Sequence, residues 1–474
     1  MTWSAQTSGD VCLAKSAVAR PSAGHRNVVL AACILASSLA FVDGTVVNVG
    51  LPAIGRSLHG TTADLQWVIN AYLLPLSALL LLGGASGDRF GQRNTLIFGV
   101  ALFAAGSTLC AAAPDVSWLL AGRGLQGIGA AFLLPNSLAI LGSEFAGEAR
   151  GKAVGTWSAA GAIAGAIGPL LGGWLIDTVG WRTIFLLNLP LAAAAAGLML
   201  VYFRDPEREA TDAPLDLAGA LFATASLGAL TWGLTLGSGR SGWSFPTIAA
   251  LAVGLIFLVT FLWIERRRGD DAMMRLAMFA SASFAGLNVL TLLLYGALGA
   301  VLLLLPYVLI QGAGFSATQA GAALLPFPLI LGLASRAMGS IAERLEPRMP
   351  LAIGPLIVAG GFLLFLRVAP PVDFPTGVLP AVLVIAAGMA VTVAPLTTAV
   401  LASVDARHTG SAAGLNSAVA RIGGLVATAM LAGVFAATES GLFDAFHLAV
   451  LACALASAIG GIAAFVLVKP RPPQ

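Results

Sequence analysis

Among the charged residues of the chain, one acid and one arginine that stand within long apolar segments could act together. Asp43 lies in SLAFVDGTVVNVGLP and Arg123 in LLAGRGLQGIGAA. A charged side chain inside a bilayer costs about 3 kcal/mol or more unless it is paired, hydrated or protonated. A neighbouring arginine favours the ionised carboxylate, whereas burial favours the protonated one. Movement of Arg123 would therefore switch Asp43 between releasing and holding a proton, and a purely structural hydrogen-bonding role is the alternative.

The overall composition predicts that these residues sit in a polytopic membrane protein. The chain has 474 residues, of which 58% are hydrophobic and only 10% are charged, too few polar groups to cover a water-soluble surface. A net charge of +3, with its basic residues scattered, gives no support for nucleic-acid binding. The four cysteines and four histidines lack metal-ligand spacing, so we expect no metal site.

Apolar runs of the length needed to cross a bilayer, about 20 residues, predict the helices. Fourteen such runs occur, near 28–50, 65–86, 95–113, 117–141, 153–176, 183–203, 217–237, 246–264, 284–309, 317–335, 350–367, 377–401, 411–436 and 446–468. Six helices, an insert of two and six more indicate an internal repeat. The expected fold is all-α, with a tail at 1–26, a bundle at 27–203, a linker with two helices at 204–275, a bundle at 276–468 and a tail at 469–474.

The distribution of basic residues predicts the orientation of these helices. With both termini in the cytoplasm, nineteen of the 25 lysines and arginines fall in cytoplasmic segments, four fall on the opposite side, and Arg123 and Arg421 fall within helices. Lysine and arginine are retained on the cytoplasmic side of a membrane, so this asymmetry supports the topology. We therefore expect a multi-pass protein of the cytoplasmic (inner) membrane.

The depth of Asp43 and Arg123 in their helices indicates that they are partners. At the helical rise of 1.5 Å per residue, Asp43 lies about 6 Å to the outer side of the middle of the first helix. Arg123 lies about 9 Å to the same side in the fourth helix. The two depths agree, so the sequence predicts a buried ion pair.

Other polar or aromatic residues within helices are candidates for lining a substrate cavity. Asparagine in a membrane helix serves as often to join helices as to contact a ligand. Arg421 lies near the middle of the thirteenth helix without an acidic partner at its depth, so we expect it to face the cavity. The full set of cavity candidates is Asn48, Trp67, Asn70, Tyr72, Gln126, Asn136, Asn288 and Arg421.

Two segments of the chain are rich in glycine. The hydrophilic stretch GASGDRFGQR, from Gly84 to Arg93, is expected to be a loop between the second and third helices. The fifth helix contains GAIAGAIGPLLGG, in which glycines recur every three or four residues and form a smooth stripe for close helix packing. Pro169 within it removes a backbone hydrogen bond and can kink the helix.

Taken in order, these motifs resemble the fourteen-helix drug:proton antiporters of the major facilitator superfamily (EmrB/QacA type). The matching elements are the Asp-x-Thr-Val-Val-Asn-Val-x-Leu-Pro pattern from Asp43; Gly84, Asp88, Arg89, Gly91 and Arg93; Arg123, Gln126, Gly127 and Gly129; and Gly168, Pro169, Gly172 and Gly173. Ser86 and Gln92 depart from the usual loop, and we expect them to change the transport rate before the substrate.

The resemblance implies proton-coupled export of amphipathic small molecules by alternating access. It implies that Asp43 and Arg123 couple transport to protons. It implies that the stretch from Gly84 to Arg93 gates the cytoplasmic side. It places an antiporter motif at Gly165, Gly168, Pro169, Gly172 and Gly173. The proton gradient is the energy source and no cofactor is expected. The implied partners are the lipid bilayer, protons and the substrate; a periplasmic adaptor stays open, although no sequence feature indicates one.

Uptake of a metabolite by proton symport, or flippase-like transport of a lipid, is the alternative function. The chain has no GxxxxGK[ST] phosphate-binding loop, so ATP is not expected to drive transport. No HExxH motif and no serine, histidine and aspartate cluster indicates an enzyme.

Overall fold

The computed structural model describes residues 23–145, 147–203, 205, 216–238, 242–269, 272, 274–342, 348–404, 409–431, 434 and 441–468. These residues are almost entirely helical and include no β-strand. The helices are α1 (Ala23–Leu58), α2 (Thr62–Phe90), α3 (Gln92–Ala111), α4 (Val116–Glu144), α5 (Gly147–Thr178), α6 (Thr183–Leu186), α7 (Asn188–Tyr202), α8 (Leu217–Ser238), α9 (Phe245–Arg268), α10 (Ala282–Gln311), α11 (Ala317–Ala323), α12 (Pro326–Ala342), α13 (Arg348–Leu364), α14 (Leu379–Ala402), α15 (Thr409–Ala429) and α16 (Leu442–Leu467).

The predicted all-α, polytopic fold is confirmed. Within the described ranges, thirteen segments are long and apolar enough to cross a membrane. Of the remaining predicted helix, 411–436, residues 411–429 are helical in α15, and 432–433 and 435–436 lie outside the described residues. Two predicted helices are interrupted: 183–203 divides into α6 and α7, and 317–335 divides at Pro326, which has no amide hydrogen to donate. Of the predicted tails, only residues 23–26 are described, and they form the first turn of α1 instead.

The helices pack as two groups with a hairpin beside them. Helices α1 to α7 pack mainly on one another, as do α10 and α12 to α16, whereas the short α11 packs mainly on α5. Helices α8 and α9 pair together, and α8 lies against α2 and α15. In the hairpin, Gly254 and Gly233 let the backbones approach, and Ser226 Oγ donates to the carbonyl of Gly254 at 3.0 Å. Large apolar side chains such as Leu221 and Ile256 point outward, as expected for a surface that contacts lipid.

Two ends of the helix assembly matter for function, and we name each after a residue. The Gly91 face contains the turn between α2 and α3, and the end of α7 packs there because Asp205 accepts a hydrogen bond from the Arg93 amide at 3.0 Å. The Asp177 face is the opposite end, where α5 ends beside the start of α11.

The stretch from Gly84 to Arg93 is not the loop that its hydrophilic composition predicted. Helix α2 continues through Asp88 and Arg89 to Phe90, and Gly91 alone separates it from α3. Gly91 has φ +92°, a backbone conformation that side chains with a Cβ rarely adopt, and this permits the one-residue turn. The local pattern was misleading because short polar residues are tolerated in a helix that ends at the membrane surface.

Candidate functional site

Asp43 lies at the centre of a buried polar cluster in the first group of helices. Its carboxylate is fully buried and forms an ion pair with Arg123, whose Nη1 donates to Oδ2. Oδ1 accepts from Gln126 Nε2 at 3.0 Å and from Asn188 Nδ2 at 3.3 Å. The carboxylate is therefore both neutralised and hydrogen-bonded, and the partner predicted from helix depth is the one observed.

Arg123 is held from three directions. Its Nε donates to the carbonyl of Val68 at 2.9 Å, and its Nη1 donates to Gln126 Oε1 at 2.8 Å. The guanidinium carbon lies 4.4 Å from the ring centroid of Tyr72, a cation–π distance. Any movement of Arg123 away from Asp43 must break contacts with α2 as well, so the pair is a defined state rather than a loose contact.

Sequence reasoning missed one member of the cluster, Ser107 on α3. Its hydroxyl accepts from Gln126 Nε2 at 2.8 Å and from Asn188 Nδ2 at 3.2 Å, and thereby orients both amides toward Asp43. A single serine in an apolar helix carries no spacing signal, so only the fold shows its role. The contact between Asn188 and Asp43 was not predicted from the sequence either.

Glycines of α4 make this arrangement possible. Arg123 and Gln126 are three residues apart and share one helix face. A Cβ at Gly127 would collide with the backbone carbonyl of Tyr72, and one at Gly122 would lie 2.6 Å from Cys110 Sγ. The residues Arg123, Gln126 and Gly127 therefore combine polar side chains for the Asp43 cluster with a glycine that lets α2 pack closely, and Gly122 does the same for α3.

A cavity of about 360 Å³ lies between the two groups of helices, next to this cluster. Its walls are mainly apolar, and two arginines reach it from opposite groups. The residues that line it include Gly44, Thr45, Asn48, Tyr72, Arg123, Gly165, Pro169, Tyr295, Phe327, Arg421 and Gly424. A cavity of this kind, apolar with few polar groups, is typical of a small-molecule site.

Of the eight predicted cavity residues, three line this cavity: Asn48, Tyr72 and Arg421. The other five do not line the cavity in this conformation, and their contact with a substrate stays a prediction. Gln126 is buried in the Asp43 cluster, and Trp67 packs against Trp232 of the hairpin with ring centroids 5.6 Å apart. Asn70 is fully buried, and neither of its side-chain polar atoms has a hydrogen-bond partner within the described structure.

The remaining two, Asn136 and Asn288, join helices. Asn136 Nδ2 donates to the carbonyl of Gly83 on α2 at 2.9 Å. Asn288 Oδ1 accepts from Asn416 Nδ2 on α15 at 3.3 Å. Both are instances of asparagine as a link between membrane helices, which the sequence left open as an alternative.

The residues of the antiporter motif lie on different faces of α5 and contact different helices. Gly168 and Gly172 pack on α1, where a Cβ at Gly168 would lie 2.5 Å from Thr45 Oγ1. Gly173 packs on the other group of helices, where a Cβ would collide with the carbonyl of Ala317 on α11. Gly165 and Pro169 line the cavity. The motif thus joins the cavity to the contact between the two groups.

On the Gly91 face, Arg93 binds the end of α7 in its own group of helices: its side chain donates to the carbonyls of Met199 and Leu200. Asp88 and Arg89 are exposed, whereas Ser86 and Gln92 are buried. Ser86 Oγ donates to the carbonyl of Leu82 at 2.8 Å, which replaces the packing of a bulkier side chain. The expected gating role and the expected effect of Ser86 and Gln92 on rate stay predictions.

With this fold and site established, comparison with known proteins identifies the class. The chain matches the Major Facilitator Superfamily over residues 33–428 and belongs to that family of membrane transporters. It is 32% identical over 410 residues to the multidrug resistance protein Stp of Mycobacterium tuberculosis, covering 85% of this chain and 75% of Stp. It is also 32% identical over 411 residues to the methylenomycin A resistance protein of Bacillus subtilis, covering 85% of this chain and 86% of that protein.

Two further comparisons extend this result. The tetracenomycin C resistance and export protein of Streptomyces glaucescens is 30% identical over 401 residues, with 84% of this chain and 74% of that protein covered. Among solved structures, an auto-inhibited POT family peptide transporter superimposes with a TM-score of 0.70 over 95% of this chain and 98% of its own, at 16% identity. That likeness supports the fold alone.

Proposed function

We propose that this protein is a proton-coupled antiporter that exports amphipathic small molecules across the cytoplasmic membrane. The observation that carries the proposal is the position of Arg123, which pairs with Asp43 and also lines the central cavity. One residue therefore connects the group that would carry a proton with the space that would hold a substrate. The resistance and export functions named for the relatives support the direction of transport.

The coupling follows from competition for Arg123. While the guanidinium pairs with Asp43, the ionised carboxylate is stabilised and no proton is held. If Arg123 withdraws, the buried carboxylate loses its counter-ion, and protonation then becomes the favourable way to remove its charge. Substrate binding beside Arg123 and proton binding at Asp43 are thereby linked through one side chain.

Alternating access requires that the two groups of helices part at one end at a time. In this conformation the Asp177 face is closed, because α5 and α11 are in backbone contact there. Gln66 Nε2 on α2 also donates to the carbonyl of Thr428 on α15 at 3.0 Å, a second link between the groups. With both termini in the cytoplasm, the Asp177 face is the outer one, and release of substrate needs these contacts to open.

The test uses inside-out vesicles with a preset pH gradient and a panel of puromycin, methylenomycin A and tetracenomycin C. We expect at least one compound to dissipate the gradient with the native protein and none to do so with Asp43→Asn. Asp444→Asn, an exposed acid on α16, is the matched control and should behave like the native protein.

Two results would count against the proposal. Undiminished proton-coupled transport by Asp43→Asn would remove the coupling role of Asp43. Accumulation of a metabolite in right-side-out cells, with no compound moving protons in vesicles, would favour the alternative of uptake.

A further inference from the structure

The cavity contains a cation that the proposed coupling mechanism does not use. Arg421 on α15 lines it and is partly exposed to it, and no hydrogen bond or ion pair joins its guanidinium to any described residue. The other arginine of the wall, Arg123, is compensated by Asp43. Among the described residues that line the cavity there is no aspartate or glutamate. The wall therefore carries one uncompensated positive charge.

An uncompensated charge among apolar walls is unfavourable, and a bound anion would relieve it. Charge–charge interactions are stronger in such a setting than in water. The planar guanidinium presents paired N–H donors that match the two oxygens of a carboxylate, and hydrogen bonds between charged groups are the stronger kind. By the same reasoning, a cationic substrate would be repelled.

We propose that Arg421 is the anion-binding subsite of the cavity, and that the preferred substrates are apolar, ring-containing molecules with one anionic oxygen group. This rests on the proposed function only in taking the cavity as the substrate site. Tyr72, Tyr295 and Phe327 supply aromatic surface for the apolar part. Asn48 supplies a polar contact on the opposite wall.

The position of Arg421 also relates the subsite to the coupling pair. Tyr72 and both arginines line the same cavity, and the Arg123 guanidinium carbon lies 4.4 Å from the ring centroid of Tyr72. An anion held by Arg421 would lie in the same cavity that Arg123 reaches from the other group of helices, and there it would compete with Asp43 for the Arg123 guanidinium. Anionic substrates are consequently the class that would most effectively free Asp43 to accept a proton.

The test measures binding at equilibrium, without a proton gradient, on the purified full chain in detergent micelles. The probes are 1-pyrenebutyrate, 1-pyrenebutanol and 1-pyrenebutylammonium, which share one ring system and one chain length and differ in charge. Energy transfer from tryptophan to pyrene reports binding, and partition into the micelle is common to all variants. We expect the native protein to bind the butyrate about tenfold more tightly than the alcohol, and the ammonium most weakly.

Three variants of the subsite separate its charge from its structure. Arg421→Gln should abolish the tenfold preference, and Arg421→Lys should keep part of it. Gly424→Asp places a carboxylate one helical turn away, where a Cβ meets no atom within 4 Å, and should shift the preference toward the ammonium probe. Arg367→Gln removes an equal charge from an exposed site and should leave the preference unchanged.

The proposal is overturned if the native protein does not bind the butyrate, if it binds the ammonium as tightly, or if Arg421→Gln and Gly424→Asp both keep the native preference. Because binding is measured without transport, a chain that fails to couple protons can still support the subsite. If the protein exports compounds in vesicles but shows no preference for the anionic probe, the anion-binding subsite is refuted and the proposed export function is not.

Discussion

The carboxylate of Asp177, in the last turn of α5, caps the start of α11 through Thr318. Oδ2 accepts from the Thr318 amide at 2.9 Å and from its hydroxyl at 2.6 Å, while Oδ1 accepts from the Ala317 amide at 3.3 Å. An acidic side chain from one group of helices thus satisfies free amides at a helix start in the other group, where negative charge is favourable. The contact holds the Asp177 face closed in this conformation.

Replacing Asp177 with asparagine should loosen this closure. Asparagine retains one acceptor but loses the charge and the second acceptor oxygen, and loss of a capping interaction typically weakens a helix start by a few-fold in its opening equilibrium. We expect amide hydrogen exchange at Ala317 and Thr318 to become roughly fivefold faster in Asp177→Asn. Mass spectrometry of a peptide spanning 313–323 would measure it.

The matched control is Asp115→Asn. Asp115 caps α4 by accepting from the Trp118 amide at 3.0 Å, so it makes the same kind of contact within one group of helices. Its replacement should leave exchange at 317–318 unchanged. Equal exchange in native protein and Asp177→Asn would show that the cap does not hold the face closed.

Close backbone packing is the second element of this closure. A Cβ at Gly173 would collide with the carbonyl of Ala317, a backbone atom that cannot turn away. Gly173→Ala should therefore separate α5 from α11 and lower the free energy of unfolding by about 1–3 kcal/mol. Gly155→Ala, in the same helix but with nothing within 4 Å of the new Cβ, should be neutral or slightly stabilising. Thermal unfolding in detergent distinguishes them, and equal midpoints for the two variants would contradict the packing argument.

Much of the fold was accessible from the sequence, because apolar length and the position of charges are one-dimensional signals. The helix count, the depth of Asp43 and Arg123 and the accessibility of Arg421 to the cavity all follow from such signals. What could not be predicted depends on the rotation of a helix about its axis. Asn136 and Asn288 were assigned to the cavity but bind neighbouring helices. A single asparagine in an apolar helix does not show which face of that helix points to the cavity.

The cap by Asp177 was missed for a different reason. It joins residues 141 positions apart in two groups of helices, and neither α5 nor the short α11 carries a pattern that indicates the other. The stretch from Gly84 to Arg93 failed in local structure: its composition predicted a loop, whereas α2 continues to Phe90 and Gly91 alone separates it from α3.

The Asp43–Arg123 pair should show strong energetic coupling. Asp43→Asn leaves the Arg123 guanidinium buried without a counter-ion, which typically costs about 3–5 kcal/mol of folding stability. Arg123→Met leaves Asp43 unpaired and should also destabilise. The double variant removes both charges, so we expect it to be more stable than either single variant. A double-mutant cycle of unfolding free energies measures the coupling.

A partly exposed pair is the control for this cycle. Arg26 and Glu144 join α1 to α4 at 3.7 Å, with side chains 33% and 13% exposed. Screening by solvent should limit their coupling to about 1 kcal/mol or less. If the changes in unfolding free energy caused by Asp43→Asn and Arg123→Met simply add in the double variant, the two residues are not energetically coupled.

The turn at Gly91 offers a test that separates backbone strain from a specific contact. Gly91 and Gly180 both have positive φ, +92° and +118°, so alanine is strained at either position by about 1 kcal/mol or more. Only at Gly91 would the new Cβ collide with a side chain, the Asp205 carboxylate that accepts from the Arg93 amide. Gly91→Ala should therefore lower the thermal midpoint clearly more than Gly180→Ala. Because the turn is remote from the cavity, Gly91→Ala should slow transport but retain the affinity of the cavity for probe molecules. Equal thermal midpoints for Gly91→Ala and Gly180→Ala would contradict the role of the Asp205 contact. A loss of affinity in Gly91→Ala would contradict the separation of the turn from the cavity.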